Sequence, residues 1–268
     1  MDRWLFLDDG PAPGAENMAR DELIFEKAAR GGTPVLRLYC FEPAAITIGY
    51  HQDPRTSLDL NAVQADGLDW VRRITGGRVL LHDGELTYCV AAPASSIPFS
   101  ARFGETYLKI SEALCAALRS IGVDAAVSRR QERARSSGAI PPCLCSVSRY
   151  ELAVGGKKIA GSAQRKTAAA FLQHGSILLR RSSARITKYV RGSWDSIEDR
   201  ITSVSDELGG GVDPKTLRSA LAKSFSDVFE VGWEPVRLSR SDEAEVRRRA
   251  RAKREESSGR FTGEVCSP

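Results

Sequence analysis

The sequence lacks a long hydrophobic run, an internal repeat and a metal-site spacing. Its first residues, MDRWLFLDDG, hold an apolar run of only three residues beside acids, so we expect neither a signal peptide nor a spanning helix. The six cysteines are scattered apart from one C-x-C pair, and with three histidines they form no familiar ligand set. We therefore expect a cytoplasmic protein with no metal and no membrane partner.

Positive charge is in mild excess and unevenly placed. The net charge is +5 and the pI is about 8.9, with much of the excess in RRRARAKRE at 247–255. No aromatic residues interleave with that run, so we interpret it as a solvated helix face or frayed tail and expect no nucleic-acid partner. The mild excess is compatible with an acidic protein partner.

Helical and strand patterns both occur in the 268 residues, a length that allows one large domain or one domain with a small appendage. The segments GAENMARDELIFEKAAR and GETYLKISEALCAALRSIG have the apolar spacing of helices, and PVLRLYCF and AAITIGY predict a pair of strands. Gly-Gly and Asp-Gly turns separate further strands along 68–93. The class is therefore α/β or α+β, and the short turns favour a mainly antiparallel or mixed sheet.

The first glycine-rich segment is RRITGGRVLLHDGELTY at 72–88. Gly76 and Gly77 would let the backbone approach a ligand closely, and their N–H groups can hold an oxyanion or a phosphate. Arg73 and His82 lie beside that turn. The alternative is a plain turn between two strands.

Two later strands carry residues that a plain strand does not need. In GKKIAGSAQRK at 156–166, Gly161 weakens the strand unless something must come close, and Lys158 could point at a bound carbonyl or phosphate. The alternative is that one of the two lysines in this segment faces solvent. In LQHGSILL at 172–179, His174 interrupts an apolar run and is either structural or functional. A Gly155-Gly156 pair predicts a hairpin turn before the first of these strands.

Two cysteines, Cys143 and Cys145, lie in a polar, arginine-containing segment that predicts a long loop, SRRQERARSSGAIPPCLCSVS at 128–148. Long loops are often functional, and a nucleophilic thiolate needs an electropositive, partly exposed place. From composition alone, the alternative is a pair of spectator thiols.

The segments RRITGGRVLLHDGELTY and KKIAGSAQRKTAAAFLQHGSILL, in this order, resemble the superfamily of lipoate–protein ligase A, octanoyltransferases and biotin–protein ligases. The resemblance covers about residues 4 to 235. It implies an α+β catalytic domain with a mixed, largely antiparallel sheet flanked by helices. We accordingly expect a catalytic domain over 1–235 and a charged C-terminal tail over 236–268, as a surface helix or partly disordered.

Within that superfamily the chain is most similar to the cysteine-dependent octanoyltransferases of lipoate assembly. Arg78 stands where ATP-dependent ligases usually carry a third glycine. The octanoyltransferases carry a cysteine seven residues before a Tyr-Glu pair, and here Cys143 is seven residues before Tyr150. Cys145 is not at that spacing and receives no role.

The resemblance implies transfer of an octanoyl group from acyl carrier protein, through a thioester on the cysteine, to a lysine of a lipoyl domain such as the glycine-cleavage H protein. No cofactor is implied. The alternatives are an ATP-dependent lipoate or octanoate ligase and a lipoyl-domain amidotransferase. The implied catalytic residues are Cys143 and Lys158, and the implied substrate-binding residues are Arg73, Gly76, Gly77, Arg78, His82, Gly161, Ser162 and His174.

Overall fold

The computed structural model describes residues 2–96, 99, 103–128, 150–192 and 197–258. In these residues the helices are α1 (Gly14–Ala29), α2 (Pro54–Ser57), α3 (Leu60–Ala65), α4 (Phe103–Ser120), α5 (Val204–Leu208), α6 (Pro214–Phe229) and α7 (Arg240–Ser257). The strands are β1 (Asp2–Ala12), β2 (Val35–Phe41), β3 (Ala45–Ile48), β4 (Asp69–Arg72), β5 (Leu80–His82), β6 (Glu85–Pro93), β7 (Ala126–Val127), β8 (Leu152–Val154), β9 (Lys157–Lys166), β10 (Ala170–Leu178) and β11 (Val231–Pro235). Two short 3-10 helices cover Arg181–Lys188 and Glu198–Arg200.

The strands form two sheets. The large sheet has the order β11-β1-β2-β6-β10-β9-β8-β7, and only its first two pairings are parallel. The small sheet has the order β4-β3-β5. The predicted α+β class with a largely antiparallel sheet is confirmed. The predicted pairing of β2 with β3 is wrong, because these consecutive strands lie in different sheets.

Alternate residues of the central strands face two different cores. Leu36 and Leu38 of β2 pack with Leu114 of α4 and Phe225 of α6 on one face of the large sheet. Val35 and its odd-numbered neighbours pack with α1 on the other face. This alternation is the two-residue period of a strand buried on both sides. Helix α1 therefore covers the face of β6 and β10 that also carries polar side chains.

The charged C-terminal run forms α7, which packs against α1. Ser239 and Asp242 form a capping box at its start. Arg249 pairs with Glu26, and Lys253 pairs with Glu22 at 2.5 Å. The arginines of 247–255 therefore meet acids of α1 as well as solvent, while the domain boundary at residue 235 stays a prediction. No helix in the described ranges is long and apolar enough to cross a membrane.

Candidate functional site

A cleft opens where α1, the small sheet and the polar face of β9 and β10 meet. It encloses an empty volume of about 430 Å³, part of it open to solvent, and its surface is mostly apolar. Six predicted site residues line it together with eight others: Arg73, Gly77, His82, Gly161, Ser162 and His174, with Met18, Tyr39, Thr47, Leu80, Thr87, Ala163, Gly175 and Ser176.

The Gly-Gly segment wraps around the Arg73 guanidinium. Arg73 donates hydrogen bonds to the carbonyl oxygens of Gly76 at 2.9 Å and Arg78 at 2.9 Å. Gly77 has φ +97°, and a Cβ there would lie 2.6 Å from Nη2 of Arg73. Glycine is therefore required at Gly77 for its backbone angle and for this close approach. Gly76 and Arg78 do not belong to the cleft lining and enter the site through their carbonyls.

This segment is not the simple hairpin turn that the sequence alone allows. The strands on its two sides, β4 and β5, both pair with β3, which lies between them. The segment therefore crosses the end of a strand, and its backbone packs against Gly49, where a Cβ would meet the Gly77 carbonyl. That crossing is what brings Arg73 and Gly77 to the cleft.

His82 is held by partners on both ring nitrogens. Nε2 lies 2.8 Å from the Thr47 hydroxyl, which also accepts a hydrogen bond from Arg73 at 3.0 Å. Nδ1 contacts the buried Glu85 carboxylate, and the ring stacks on Phe41. Because both ring nitrogens have partners, this geometry suits His82 to buttressing the segment rather than to relaying protons.

His174 is held by a second chain of the same kind. Its Nδ1 lies 2.8 Å from Asp21 Oδ2, and its Nε2 lies 2.7 Å from the Thr75 hydroxyl. Burial lowers the pKa of His174, and the neighbouring Asp21 opposes that shift only in part. Burial raises the pKa of Asp21, but the Arg37 guanidinium at 2.6 Å and His174 outweigh it, so the net pKa is lowered. The site is therefore braced by two carboxylate–imidazole–hydroxyl chains.

Stability should depend on pH through His174. Because the pKa of His174 is lowered in the folded state from 6.5, the unfolded chain binds the proton first. The stabilisation is therefore present above the unfolded value and is lost as the pH falls from there toward the folded value. We expect the free energy of unfolding in urea to fall as the pH is lowered through 6.5 and below. His174→Gln should flatten this slope, and the exposed His51→Gln should leave it unchanged; equal slopes in all three proteins would contradict the assignment.

Lys158 lies directly behind the cleft wall. Its ammonium is 2.8 Å from Glu151 Oε2, and the two side chains are 1% and 3% exposed. A Cβ on Gly161 would lie 3.0 Å from Cε and 3.3 Å from Nζ of this lysine. Gly161 therefore lets the end of Lys158 lie against the backbone that lines the cleft, while the neighbouring Lys157 faces solvent.

Ser162 is tied to the cleft wall rather than free to act as a nucleophile. Its hydroxyl lies 2.6 Å from the Tyr88 hydroxyl, which accepts a hydrogen bond from Gln173 at 2.8 Å. Burial raises the pKa of Tyr88 well above its ordinary value of 10. Tyr88 is thus neutral and serves as a hydrogen-bonding group that orients Ser162.

The two cysteines of interest, Cys143 and Cys145, lie outside the described residues. The described residues resume at Tyr150, which has φ +72°. The carbonyl of the next residue, Glu151, accepts a hydrogen bond from the Ser128 amide at 2.8 Å. Within the described ranges, no group of three histidine, cysteine or acidic side chains could hold a metal ion.

Some residues of the site were not found from the sequence. Asp21 carried a weak signal, since it is an acid beside Met18 and Leu23 on the apolar side of α1. Glu151 was noted only for its spacing to the cysteine. Thr47, Glu85 and Ser176 carried no signal, because each looks like an ordinary polar residue of a strand until its distant partner is known.

Comparison with known proteins shows the family of this chain. Residues 13–226 match the family of the lipoyl protein ligase A/B catalytic domain. The octanoyltransferase LipM of Symbiobacterium thermophilum is 38% identical over 93% of this chain and 95% of its own length. The octanoyltransferase LipM of Bacillus subtilis is 33% identical over 89% of this chain and 91% of its own.

Two solved structures share the fold. Lipoate-protein ligase A bound with ATP has a TM-score of 0.79 at 24% identity, covering 94% of this chain and 95% of its own. The bipartite lipoate protein ligase of Thermoplasma acidophilum, solved in a study of its lipoylation system, has a TM-score of 0.77 at 22% identity, covering 99% of both chains.

The chain belongs to the lipoyl protein ligase A/B catalytic-domain family. Within that family, its matches to transferases over most of both chains make it an acyltransferase.

Proposed function

We propose that this enzyme moves an octanoyl group from octanoyl-acyl carrier protein, through a thioester on Cys143, to a lysine of a lipoyl domain such as the glycine-cleavage H protein. The observation that carries the proposal is an apolar cleft whose wall at Gly161 lies against the buried Lys158 ammonium. An apolar cleft suits an alkyl chain, and a cation behind its wall suits an acyl carbonyl. The curated relatives, which are octanoyltransferases at 31–38% identity, support the same substrate.

The chemistry needs no nucleotide. The Cys143 thiolate attacks the donor thioester, the donor's carbon–sulfur bond breaks, and the carrier thiol leaves with a proton. One thioester replaces another, so this step is nearly thermoneutral. The neutral amine of the acceptor lysine then attacks the enzyme thioester, releases the Cys143 thiol and loses a proton. The product is an amide, and its formation from a thioester is downhill.

The residues in and beside the cleft have different roles in this reaction. Lys158 stabilises the negative charge that develops on the acyl oxygen, with help from backbone N–H groups. Arg73, Gly76, Gly77 and Arg78 shape the segment that covers the acyl chain, and His82 and His174 brace its walls. Burying about seven methylenes at about 0.8 kcal/mol each contributes on the order of 5 kcal/mol, enough to select chain length by the depth of the cleft.

The enzyme has a net charge of +5, which affects how it associates with its two protein substrates. Acyl carrier proteins are acidic, and opposite charge accelerates encounter between proteins. We therefore expect the rate of transfer from the carrier to fall as the salt concentration is raised. Binding of the acyl group in the apolar cleft should not change with salt.

The donor requirement tests the function. The purified enzyme is incubated with a lipoyl domain and either octanoyl-carrier protein or free octanoate with ATP. We expect modification of the acceptor lysine, read by mass, only with the carrier. Modification only with free octanoate and ATP would replace the proposal with a ligase. An octanoylated lipoyl domain offered as donor in a third reaction distinguishes an amidotransferase.

A further inference from the structure

We propose that four residues beside the cleft form the surface on which the acceptor lipoyl domain docks, and that a carboxylate of that domain pairs with Arg165. We call this surface the rim patch, and its residues are Phe25, Tyr50, Ile74 and Arg165. The inference rests on the proposed function for its acceptor, a lysine of a lipoyl domain. It does not depend on which donor supplies the acyl group.

The mouth of the cleft lies between the glycine segment and β9. Among the residues that line the cleft, Gly77 is exposed, Ser162 and Ala163 are partly exposed, and the rest are buried. A Cβ on Gly77 would lie 3.9 Å from the Cβ of Ala163, so the glycine segment and β9 meet at this point. A folded domain cannot enter the cleft, and the acceptor amine must therefore come in through this mouth.

The rim patch adjoins the mouth. Arg165 follows Ala163 by two residues in a regular part of β9, so the two side chains lie on the same face of the strand. Arg165 donates a hydrogen bond to the Ile74 carbonyl at 3.2 Å, which joins β9 to the glycine segment. The amide of Tyr50 donates to the Thr75 carbonyl at 2.9 Å, which holds the tyrosine beside the same segment.

Tyr50 is exposed and firmly held. It is 48% exposed, more than any other large hydrophobic residue that the structure describes. Arg72 donates hydrogen bonds to the carbonyl oxygens of Tyr50 at 3.0 Å and Gln52 at 2.6 Å, and the His51 ring packs edge-on against the tyrosine with centroids 4.9 Å apart. A ring that is already ordered loses little freedom on binding, and tyrosines and arginines often dominate the energy of an interface.

Arg165 places a positive charge in the centre of the rim patch. Its guanidinium carbon lies 5.3 Å from the ring centroid of Tyr50 and 5.4 Å from that of Phe25. Its hydrogen bond to Ile74 is to a neutral carbonyl, and no carboxylate of the described ranges forms an ion pair with it. A guanidinium between two aromatic rings is well placed to bind a carboxylate of a partner protein.

The reach of the two substrates determines which of them occupies the rim patch. The carrier presents its acyl group on a long, flexible phosphopantetheine arm, so the body of the carrier can bind away from the mouth. The acceptor amine is attached through the four-carbon stem of a lysine, which is much shorter. The lipoyl domain must therefore contact the residues around the mouth, and the carboxylate that meets Arg165 must lie beside its acceptor lysine.

The test measures the two halves of the reaction separately. Wild type, Tyr50→Ala and Arg165→Gln are mixed with octanoyl-carrier protein, and formation of the octanoyl-enzyme is followed by intact mass. The isolated octanoyl-enzyme is then mixed with increasing amounts of glycine-cleavage H protein, and the rate of transfer is measured. We expect the first half to match wild type in both variants, which also shows that they are folded. The H-protein concentration that gives half the limiting rate should rise about tenfold or more, and the limiting rate should not change.

Matched variants control for the loss of an exposed side chain. Leu208→Ala removes another exposed apolar residue, which lies beside Gly122 after α4, and Arg251→Gln removes an arginine of α7 whose side chain is 82% exposed. Both should transfer as wild type does. Arg165→Glu should impair transfer more than Arg165→Gln, because it repels the carboxylate. H proteins in which an acid beside the acceptor lysine is changed to lysine should restore transfer by Arg165→Glu and not by Tyr50→Ala.

The outcomes distinguish this inference from the proposed function. An unchanged dependence on H protein in both variants would overturn the docking surface and leave the proposed function standing. Slower formation of the octanoyl-enzyme, with that dependence unchanged, would assign the rim patch to the carrier and overturn the inference. Failure of every altered H protein to restore transfer by Arg165→Glu would overturn the pairing with a carboxylate.

A binding measurement tests the rim patch even if the thioester route fails. No octanoyl-enzyme on wild type would overturn the proposed route from the carrier. The dissociation constant of fluorescently labelled H protein, measured by anisotropy, should still be about tenfold or more higher for Tyr50→Ala and Arg165→Gln than for wild type. Equal dissociation constants in the three proteins would overturn the docking surface.

Discussion

Cys143→Ser is expected to abolish octanoyl transfer to the lipoyl domain, with a fall on the order of 10³-fold or more, because loss of a nucleophile removes the covalent route entirely. A serine hydroxyl is a far weaker nucleophile than a thiolate. The octanoyl thioester adduct on the enzyme should be lost as well. Intact mass after mixing with octanoyl-carrier protein measures the adduct, and mass of the lipoyl domain measures turnover.

Cys145→Ser is the matched control, since it changes the same type of residue two positions away. We expect it to keep both the adduct and turnover. Loss of the adduct in Cys145→Ser with retention in Cys143→Ser would show that the spacing to Tyr150 identified the wrong thiol. Loss in neither variant would exclude a cysteine mechanism.

Lys158→Met is expected to slow transfer by about 10²- to 10³-fold, because a preorganised cation at a developing oxyanion contributes on that scale. Methionine keeps most of the length of the side chain and removes its charge. The control is Lys157→Met on the same strand, whose side chain faces solvent, and its rate should match wild type. Equal rates in all three proteins would remove Lys158 from the mechanism.

Stability must be followed beside the rate in this experiment. Lys158→Met leaves the buried Glu151 carboxylate without this cation, and breaking a buried pair from one side is strongly destabilising. We therefore expect a lower melting temperature, and the rates should be compared well below it. Adding Glu151→Gln to Lys158→Met should restore much of the stability and none of the activity, which separates folding from chemistry.

Much of the cleft could be predicted from the sequence because its residues are local to three short segments. Gly77 has a backbone angle that favours glycine, and Gly161 and Gly175 allow close approaches that a Cβ would prevent. The Gly155-Gly156 turn between β8 and β9 was also predicted and is confirmed, since the chain reverses there within two residues.

The pairing of strands was harder, because it depends on contacts between distant segments. The strands β2 and β3 are consecutive in the chain, as the two strands of a hairpin are. They do not pair, because the segment around Pro43 takes the chain from the large sheet to the small one. The β5 and β6 strands likewise flank the Asp-Gly turn without pairing, since β5 joins β3 and β6 lies between β2 and β10. A turn motif in the sequence predicts where the chain changes direction. It does not predict which strand the next strand will pair with.

The sequence by itself determined the class of fold and the glycine-rich segments of the cleft, and it singled out Lys158 rather than Lys157 as the candidate lysine. The tertiary structure alone decided that Lys158 is the buried one and that Glu151 is its counter-ion. It also decided that the two histidines are held between carboxylates and hydroxyls. The physical reason is the range of the forces. Backbone angles and hydrophobic period are local properties of the chain, whereas the state of a buried charge depends on a partner that only folding brings within 3 Å.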